Sequence, residues 1–492
     1  MVRLYTNLPG FYNDICEEIR LFIEEAEIIL HEGPVVHDEE CLSVFMYEEG
    51  GVWRALSSAR MTVSGKPIEA RYEYRMPAHK EAALVEKRYK KRCVKIAVFR
   101  LMRLLYTDNR PVWGSLTGIR PTRLLRELQE EMGEQKALET MLQDFDVHQE
   151  KLDLAKKIVY IQHPILEDQD EKDVDVYIGV PFCKSRCLYC SFASSIRGEK
   201  TDMRPYLFAL RQDIAFGAKI ARDAGMRVRA MYVGGGTPTV LTAEELEDVL
   251  SFALDAYGGF GRELTVEAGR PDTVDMRKLV AIRRLGAGRI SINPQTMNDK
   301  TLQLIGRSHT SEEIEEAFAM ARDVGFACVN MDLIAGLPGE KEADMRNTLD
   351  RVMRLKPQNL TVHTLAVKRS SLLKARLDEF PLPDAETASR MVSLGAEAAK
   401  SMGMRPYYMY RQKYMSGNLE NVGYALEGHE CIYNIDMMEE TTSIMAHGAG
   451  AMTKRVLGGQ RRVERIPHPK DIDTYINKLT QLNGEKAQLF IR

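Results

Sequence analysis

The chain has 492 residues, of which 44% are hydrophobic, and this size predicts two or three domains with a substantial core. Its 68 basic and 71 acidic residues nearly balance, which excludes a bulk polyanion-binding protein, so no nucleic-acid partner is expected. No apolar run approaches the length of a membrane span, and the first residues lack the apolar core of a signal peptide.

Residues 1–170 predict an α+β accessory domain. Apolar residues at three- to four-residue steps predict one helix that begins after Pro9 and Gly10 and continues to Ile29. Strands are predicted at 42–47, 52–57 and 68–75, with Gly50 and Gly51 in a hairpin turn. Helices follow at 79–106, 134–143 and 148–160, and an acidic linker at 167–173 marks the expected domain boundary.

Two features of this region carry positive charge. Six basic residues crowd the helix at 79–106 and favour a solvated face, with a docking surface for an acidic partner as the alternative: Lys87, Arg88, Lys90, Lys91, Arg92 and Lys95. The loop at 113–123 favours a structural turn before a helix that begins at Pro121. Its alternative is a carboxylate site, in which Arg120 and Arg123 form bidentate pairs and Trp113 lies against a flat ligand.

Residues 171–370 alternate between strand and helix patterns. The six predicted strands are 175–180, 229–234, 263–268, 288–292, 327–333 and 359–365, and helical patterns lie between them. Successive βα units imply a parallel sheet with right-handed crossovers. Six units rather than eight predict an α/β fold with a partial (β/α)6 barrel, followed by a mixed C-terminal extension at 371–492 on the substrate side.

Three cysteines follow the first of these strands with the spacing C-x3-C-x2-C: Cys183, Cys187 and Cys190. Pro181 ends the strand, so the cysteines are predicted on a loop at its carboxyl end, where α/β folds place their chemistry. Three thiolates suit zinc or iron–sulfur, but a structural zinc site needs a fourth ligand, and the next candidate is the distant His309. The eight cysteines indicate a reducing compartment and a cytoplasmic location, and five are predicted core residues: Cys16, Cys41, Cys93, Cys328 and Cys431.

With Tyr189 before the last cysteine, this spacing resembles the signature of the radical S-adenosylmethionine (SAM) family. The resemblance implies a [4Fe–4S] cluster whose only protein ligands are Cys183, Cys187 and Cys190. One iron of that cluster would bind SAM and cleave it reductively to a 5′-deoxyadenosyl radical.

Later motifs resemble the SAM-binding elements of the same family. The second predicted strand ends in a GGGTPT-like motif, whose backbone contacts the SAM amino group: Gly234, Gly235, Gly236 and Thr237. The resemblance places Glu267 at the barrel mouth, pairs Arg307 with the SAM carboxylate, and assigns Gln295 and Asp332 to the ribose hydroxyls. Guanidinium suits a carboxylate, and a carboxylate accepts from two hydroxyls. Taken singly, the glycines are also typical of a tight turn. Each charged residue, taken singly, is also typical of a surface ion pair.

The order of motifs resembles the oxygen-independent coproporphyrinogen III oxidases (coproporphyrinogen dehydrogenases), in their long Gram-positive-type branch, and their haem-chaperone relatives. Tyr177 matches an aromatic residue that the oxidases place beside the cluster, which makes it the candidate catalytic residue. Two positions depart from the oxidases: Phe192 replaces a cysteine and Gly179 replaces a histidine. Cys-x-Phe is typical of the chaperones, but their His-Asn-x-x-Tyr-Trp motif is replaced here by a different sequence after His429.

The sequence therefore predicts a radical SAM oxidoreductase of porphyrin and haem biosynthesis that acts on a tetrapyrrole. The expected reaction is anaerobic oxidative decarboxylation of two propionates of coproporphyrinogen III, which gives protoporphyrinogen IX. Hydrogen abstraction from the propionate β-carbon, followed by loss of CO2 and one electron, would yield each vinyl group. The expected partner is a low-potential electron donor of the flavodoxin or ferredoxin type. Two alternatives stay open: a haem-binding chaperone and a radical SAM protein that modifies the haem ring.

Overall fold

A computed structural model describes residues 1–23, 26–32, 35, 40–80, 82–118, 120–192, 194–368, 370–412, 415–458 and 462–491. Ile119, in the loop at 113–123, lies outside the described residues. The chain forms two compact units, Met1–Lys156 and Lys157–Arg492. None of the helices in the described ranges has the length and apolar character needed to cross a membrane.

The first unit contains a five-stranded sheet with helices packed on it. Its strands are β1 (Val2–Thr6), β2 (Ile28–His31), β3 (Cys41–Glu49), β4 (Val52–Val63) and β5 (Lys66–Pro77), in the order β2-β1-β3-β4-β5. Its helices are α1 (Tyr12–Arg20), α2 (Ala83–Leu105), α3 (Pro121–Met132) and α4 (Glu134–Glu139), while α5 (Gln149–Glu167) crosses the division between the units. The predicted hairpin turn is confirmed, since Gly50 and Gly51 join β3 to β4 with positive φ angles.

The single helix predicted from the Pro9-Gly10 turn to Ile29 is wrong beyond Arg20. Helix α1 ends there, and Ile28 begins a strand that pairs in parallel with β1, opposite Val2. The apolar spacing of a helix continues through this segment, but Ile28 and Ile29 are β-branched and fit the pleated edge of a sheet. Pairing with β1 buries Ile28, so tertiary contact decides between the two structures.

The basic side chains of α2 mostly meet carboxylates of their own unit. Lys91 lies 3.1 Å from Asp14, and Lys95 lies 3.2 Å from the buried Glu18. Lys90 pairs with Glu86 on the same helix, and Arg88 reaches Glu127 and Glu131 on α3. These pairs neutralise most of the positive charge within the unit, which favours the predicted solvated face over a docking surface for an acidic partner.

The second unit is built on one eleven-stranded sheet. Its strands are β6 (Asp173–Val180), β9 (Arg227–Gly235), β10 (Glu263–Glu267), β11 (Arg289–Ser291), β12 (Cys328–Ala335), β13 (Asn359–Thr364), β14 (Arg405–Tyr410), β15 (Asn421–Ala425), β16 (Ser443–His447), β17 (Met452–Leu457) and β18 (Arg462–Pro467). The two-residue strands β7 (Phe182–Cys183) and β8 (Ser195–Ile196) form a separate pair. The helices are α6 (Arg204–Asp223), α7 (Ala243–Tyr257), α8 (Met276–Arg284), α9 (Asp299–Leu304), α10 (Ser311–Asp323), α11 (Glu342–Leu355), α12 (Leu372–Ala375), α13 (Ala385–Ser401), α14 (Ile432–Glu439), α15 (Ile472–Asn477) and α16 (Leu479–Phe490).

All six predicted parallel strands are confirmed as β6 and β9 to β13, which lie side by side in the order β6-β9-β10-β11-β12-β13. The C-terminal extension supplies the rest of the sheet. Strand β16 pairs in parallel with β6, and β15 pairs antiparallel with β13. Because the carboxyl ends of parallel strands meet at one edge, residues that follow these strands share one face of the unit.

Candidate cofactor and substrate cavity

A cavity of about 720 Å³ lies in the second unit, at the carboxyl edge of the parallel strands. It is lined by eleven of the twelve residues that the sequence predicts for the site: Tyr177, Cys183, Cys187, Cys190, Gly235, Gly236, Thr237, Glu267, Gln295, Arg307 and Asp332. The remaining one, Gly234, lies behind the wall, where an added Cβ would be 3.1 Å from the Glu267 carboxylate. The structure therefore brings the predicted residues together.

The cysteine loop is held by backbone hydrogen bonds. The Cys190 amide donates to the Cys187 carbonyl at 3.1 Å, and the Arg197 amide donates to the Cys183 carbonyl at 2.9 Å. Thr237 Oγ1 lies 3.5 Å from Cys183 Sγ, and an Arg270 nitrogen lies 3.9 Å from Cys187 Sγ. Burial raises the pKa of the Cys190 thiol, so a positive centre is needed to stabilise its thiolate.

The donors of this loop fit an iron–sulfur cluster. Three thiols from one loop face one cavity, and thiolates are the protein ligands of such clusters. The distant His309 does not line this cavity, and its Nδ1 lies 3.4 Å from an Asp272 oxygen. Among the residues that the structure describes, no group of three His, Cys, Asp or Glu side chains is close enough to hold a single metal ion.

The glycine turn at the end of β9 packs closely against the cysteine loop. The Gly236 amide donates to the Val180 carbonyl at 2.8 Å, and the Thr237 amide donates to the Phe182 carbonyl at 2.8 Å. An added Cβ on Gly236 would lie 2.5 Å from the Phe182 carbonyl oxygen and 2.9 Å from Cys183 Sγ. Only a residue without a side chain allows this backbone to pass so close to the cysteine loop.

Arg307 is a buried cation whose described contacts include no carboxylate. One terminal nitrogen donates to the carbonyls of Asn293 at 2.7 Å and Gly269 at 3.2 Å, and the other lies 3.4 Å from the Tyr189 hydroxyl. Its Nε is buried and has no hydrogen-bond partner among the described residues. A buried guanidinium with an unsatisfied donor is suited to an anionic ligand.

Two carboxylates, Glu267 and Asp332, also line the cavity. The Tyr232 hydroxyl donates to Glu267 Oε1 at 2.5 Å, and burial raises the pKa of Glu267 to about 7. Asp332 accepts from the Asn330 amide at 2.8 Å and lies 3.7 Å from His363 Nε2. Burial acts to raise the pKa of Asp332, but His363 and the hydrogen bonds outweigh it, and the pKa is lowered.

Gln295 has an unusual backbone conformation beside Asp332. Its φ of 66° is in the left-handed region, which residues other than glycine seldom adopt. The Gln295 amide donates to the Asp332 carbonyl at 2.8 Å, and its carbonyl accepts from the Ile334 amide at 2.9 Å. These bonds hold the strained residue at the cavity, where such strain commonly serves a binding site.

The chain is similar in sequence to proteins of a known family. Residues 177–352 match the model of the radical SAM superfamily. The chain is 39% identical to the oxygen-independent coproporphyrinogen-III oxidase-like protein HemZ of Bacillus subtilis over 382 residues, which cover 76% of each protein. The chain belongs to the radical SAM superfamily, in the oxygen-independent coproporphyrinogen III oxidase-like family. The cofactors of this superfamily are a [4Fe–4S] cluster and SAM, so the predicted cofactors are confirmed.

Two further proteins are similar to the chain. The haem chaperone HemW of Bacillus subtilis is 28% identical over 311 residues, which cover 61% of this chain and 76% of the chaperone. The structure of the radical SAM coproporphyrinogen III oxidase HemN of Escherichia coli superposes with a TM-score of 0.53 at 21% identity, over 66% of this chain and 73% of that one. The superposition confirms the predicted radical SAM fold.

Three tyrosines form the aromatic wall of this radical SAM site. The ring centroids of Tyr232 and Tyr433 lie 4.6 Å apart, and the Tyr177 ring lies 6.4 Å from Tyr232 and 6.2 Å from Tyr433. Of the three, only Tyr177 is predicted from the sequence motifs. Tyr232 lies two residues before the glycine motif and could have been found from that position. Tyr433 comes from α14, and no local signal places it beside β9.

The two departures from the oxidase pattern have structural counterparts. An added Cβ at Gly179 would lie 3.2 Å from the His447 carbonyl oxygen and 3.3 Å from Tyr177 Cε1. A histidine at this position therefore requires its neighbours to move. Phe192 is 69% exposed and lines the cavity. It presents an apolar ring where the oxidases have a thiol.

The loop at 113–123 does not present its aromatic residue. Trp113 is completely buried, which contradicts the alternative in which its ring lies against a flat ligand. The Ser115 amide donates to the Phe145 carbonyl at 2.8 Å, which ties this turn to its own unit. Arg123 Nε donates to Glu127 at 2.9 Å. These contacts favour the structural turn over the carboxylate site.

Proposed function

We propose that this protein is an oxidoreductase that decarboxylates two propionates of coproporphyrinogen III and produces protoporphyrinogen IX without oxygen. The observation that carries the proposal is the 39% identity, over 76% of each chain, to a protein named for its likeness to oxygen-independent coproporphyrinogen-III oxidase. The cavity supports a substrate of this kind because aromatic rings, cations and the cysteine loop line the same space. Flat, apolar and anionic parts of one ligand would each find a complementary surface there.

In this proposal, Cys183, Cys187 and Cys190 hold the cluster. Arg307, buried without a described carboxylate, binds the carboxylate of SAM, while the backbone after Gly234 approaches its amino group. When bound, the cluster and SAM supply the one-electron chemistry that removes a hydrogen atom from an unactivated carbon. Acid–base groups alone cannot break such an unactivated C–H bond.

The remaining residues of the proposal orient the cofactor and the substrate. Asp332 accepts hydrogen bonds from the ribose hydroxyls, and the side-chain amide of Gln295 also forms hydrogen bonds with them. Glu267 supplies a carboxylate beside the glycine turn. Tyr177 is proposed as the catalytic residue beside the reacting carbon, and with Tyr433 it excludes water from that region. SAM cleavage also needs an electron donor of low potential, for which we propose a flavodoxin or ferredoxin. A one-electron acceptor must also take up the electron that the substrate radical releases with CO2.

A haem-handling chaperone is the second candidate function. The 28% identity to HemW and the Cys190-x-Phe192 pattern favour it. Such a protein would retain the cluster and SAM but would bind haem without converting a porphyrinogen. The two functions therefore differ in whether a decarboxylated product appears.

The test is an anaerobic incubation of the reconstituted protein with SAM, a chemical reductant and coproporphyrinogen III. The proposal predicts products that have lost one and then two carboxyl groups as CO2, detected by mass spectrometry, together with 5′-deoxyadenosine. The Cys187→Ala protein is the control and should form neither product. Stoichiometric haem binding by a protein that forms no decarboxylated product would overturn the oxidase proposal in favour of the chaperone.

A further inference from the structure

Six cationic side chains line the cavity, and most of them are already engaged: Arg186, Arg270, Arg289, Arg307, Lys368 and Lys454. Arg270 lies 3.1 Å from Asp272, Arg289 lies 3.4 Å from Glu263, and Lys454 lies 3.9 Å from Glu440. Arg307 is proposed for SAM. Arg186 and Lys368 remain, and neither has a carboxylate partner within the described part of the chain.

The fold brings the segments of these two residues together. An Arg186 guanidinium nitrogen donates to the Ser370 carbonyl at 2.9 Å, and Ser370 Oγ donates to the Ser191 carbonyl at 3.4 Å. The turn that carries Lys368 is itself fixed, since the Lys368 carbonyl accepts from Ser371 Oγ at 2.7 Å. The segment after β13 is therefore fastened to the cysteine loop, and both cations line the same cavity.

The surroundings of Lys368 favour an anionic ligand. Its side chain is half-buried, and burial lowers the pKa of its ammonium group, with no described carboxylate to offset that cost. Arg186 is exposed, and so is Phe192, whose ring lines the same cavity. An aromatic ring and two cations that line one cavity suit a ligand with a flat apolar body and carboxylates at its edge.

We propose that Arg186 and Lys368 form a carboxylate-binding pair that holds a propionate of the tetrapyrrole, with Phe192 against the macrocycle. The guanidinium can bind the carboxylate through two parallel hydrogen bonds, and the ammonium adds a point charge. This inference rests on the proposed function, because it supposes a tetrapyrrole with carboxylates. It moves the recognition of those carboxylates from Arg120 and Arg123 to the cavity itself.

The test compares coproporphyrin III with its tetramethyl ester, which has the same ring and no negative charge. Binding to the reconstituted protein is followed by fluorescence, with both probes in the same dilute detergent. Lys368→Gln should weaken coproporphyrin III binding about tenfold, the effect of losing one hydrogen bond to a charged group, and should leave ester binding unchanged. Lys368→Arg should restore most of the lost affinity.

Arg186→Gln should weaken coproporphyrin III binding in the same way, with iron content measured because Arg186 lies in the cysteine loop. The matched control is Lys374→Gln, an exposed lysine in α12 that does not line the cavity, and it should bind like wild type. Equal affinities of wild type, Lys368→Gln and Arg186→Gln for coproporphyrin III would overturn the carboxylate pair, even if the wild-type enzyme decarboxylates coproporphyrinogen. Wild-type protein that neither binds coproporphyrin III nor decarboxylates coproporphyrinogen would overturn both proposals.

Discussion

Tyr232 and Glu267 share a 2.5 Å hydrogen bond across two neighbouring parallel strands, with the tyrosine hydroxyl as the donor. Tyr232 lies opposite Thr265 in the register of β9 and β10, so Glu267 extends from the same face of the sheet, two residues further along. Burial raises the pKa of Glu267 to about 7 despite the hydrogen bond from Tyr232. This cavity-lining carboxylate thus changes its charge near neutral pH.

The first prediction concerns the stability of the ligand-free protein as pH changes. The ordinary pKa of a glutamate is lower than 7, so between the unfolded and folded pKa values the folded state retains a proton that the unfolded state loses. This group therefore makes the folded state less stable as pH rises from about 4.5 to about 7. Glu267→Gln removes the effect and keeps an acceptor for Tyr232.

We expect Glu267→Gln to be more stable than wild type at pH 8, by at most about 3 kcal/mol, and the difference to shrink towards pH 5. Denaturant unfolding of the ligand-free proteins at several pH values measures it. Glu316→Gln, which changes an exposed carboxylate on α10, should show no such trend. A difference between Glu267→Gln and wild type that is constant across this pH range would contradict the prediction.

The second prediction concerns the close backbone approach at the glycine turn. Gly236→Ala would place a Cβ 2.5 Å from the Phe182 carbonyl oxygen and 2.9 Å from Cys183 Sγ, so the turn or the cysteine loop must move. We expect loss of SAM cleavage and a reduced iron content. Gly288→Ala is the matched control, because its Cβ would meet no atom within 4 Å. Iron analysis and 5′-deoxyadenosine formation measure the outcome, and full activity in Gly236→Ala would refute the assigned role.

Much of this site follows from local sequence, because the relevant residues come directly after predictable strands. The β-branched run before Pro181 and the run before Gly234 each end at the carboxyl edge of the sheet, which brings their loops together without knowledge of the helices. The contributions of Tyr433 and Lys368 were not predictable. Each depends on long-range pairing, of α14 with the sheet and of the turn after β13 with the cysteine loop.

The third prediction separates the cluster ligands from the other cysteines. Alanine in place of Cys183, Cys187 or Cys190 should abolish the iron–sulfur absorbance or leave it grossly incomplete, because each removal takes away one thiolate ligand. Cys431→Ala is the strictest control, since Cys431 lines the same cavity but its thiol lies 3.2 Å from Glu263. Absorbance and iron content after reconstitution show whether each variant holds the cluster. Cluster loss in Cys431→Ala, with retention in Cys187→Ala, would reverse the assignment.

The fourth prediction concerns the SAM carboxylate. Arg307→Ala removes a buried guanidinium, and the loss of one partner in such a pair costs about 2–5 kcal/mol, so SAM affinity should fall at least about tenfold. The cluster should still assemble, because Arg307 is not one of its ligands. Calorimetric titration of the reconstituted protein with SAM measures the change. Arg322→Ala on the surface of α10 is the control, and an unchanged affinity in Arg307→Ala would remove its proposed role.

The last prediction concerns a buried ion pair that joins the C-terminal helix to the barrel. Lys486 Nζ lies 2.5 Å from Asp213 Oδ1, and both side chains are completely buried. The second carboxylate oxygen accepts from the Tyr475 hydroxyl at 2.8 Å and from the Gly448 amide at 3.1 Å. Through these contacts α6, α15, α16 and the turn after β16 are held together, and β16 pairs with β6, the strand that leads to the cysteine loop.

Lys486→Met keeps the length of the side chain but leaves the Asp213 carboxylate buried without its cation. Such a change costs about 3–5 kcal/mol, which is a large part of the stability of a typical domain. The paired change Asp213→Asn with Lys486→Met removes both charges, so its cost should be clearly smaller than that of Lys486→Met alone. Lys470→Met, at an exposed position, should unfold like wild type. The denaturant midpoint of unfolding is measured for wild type and the three variants. A Lys486→Met midpoint equal to that of wild type would show that the pair does not stabilise the fold in this way. A midpoint of the double variant below that of Lys486→Met would show the same.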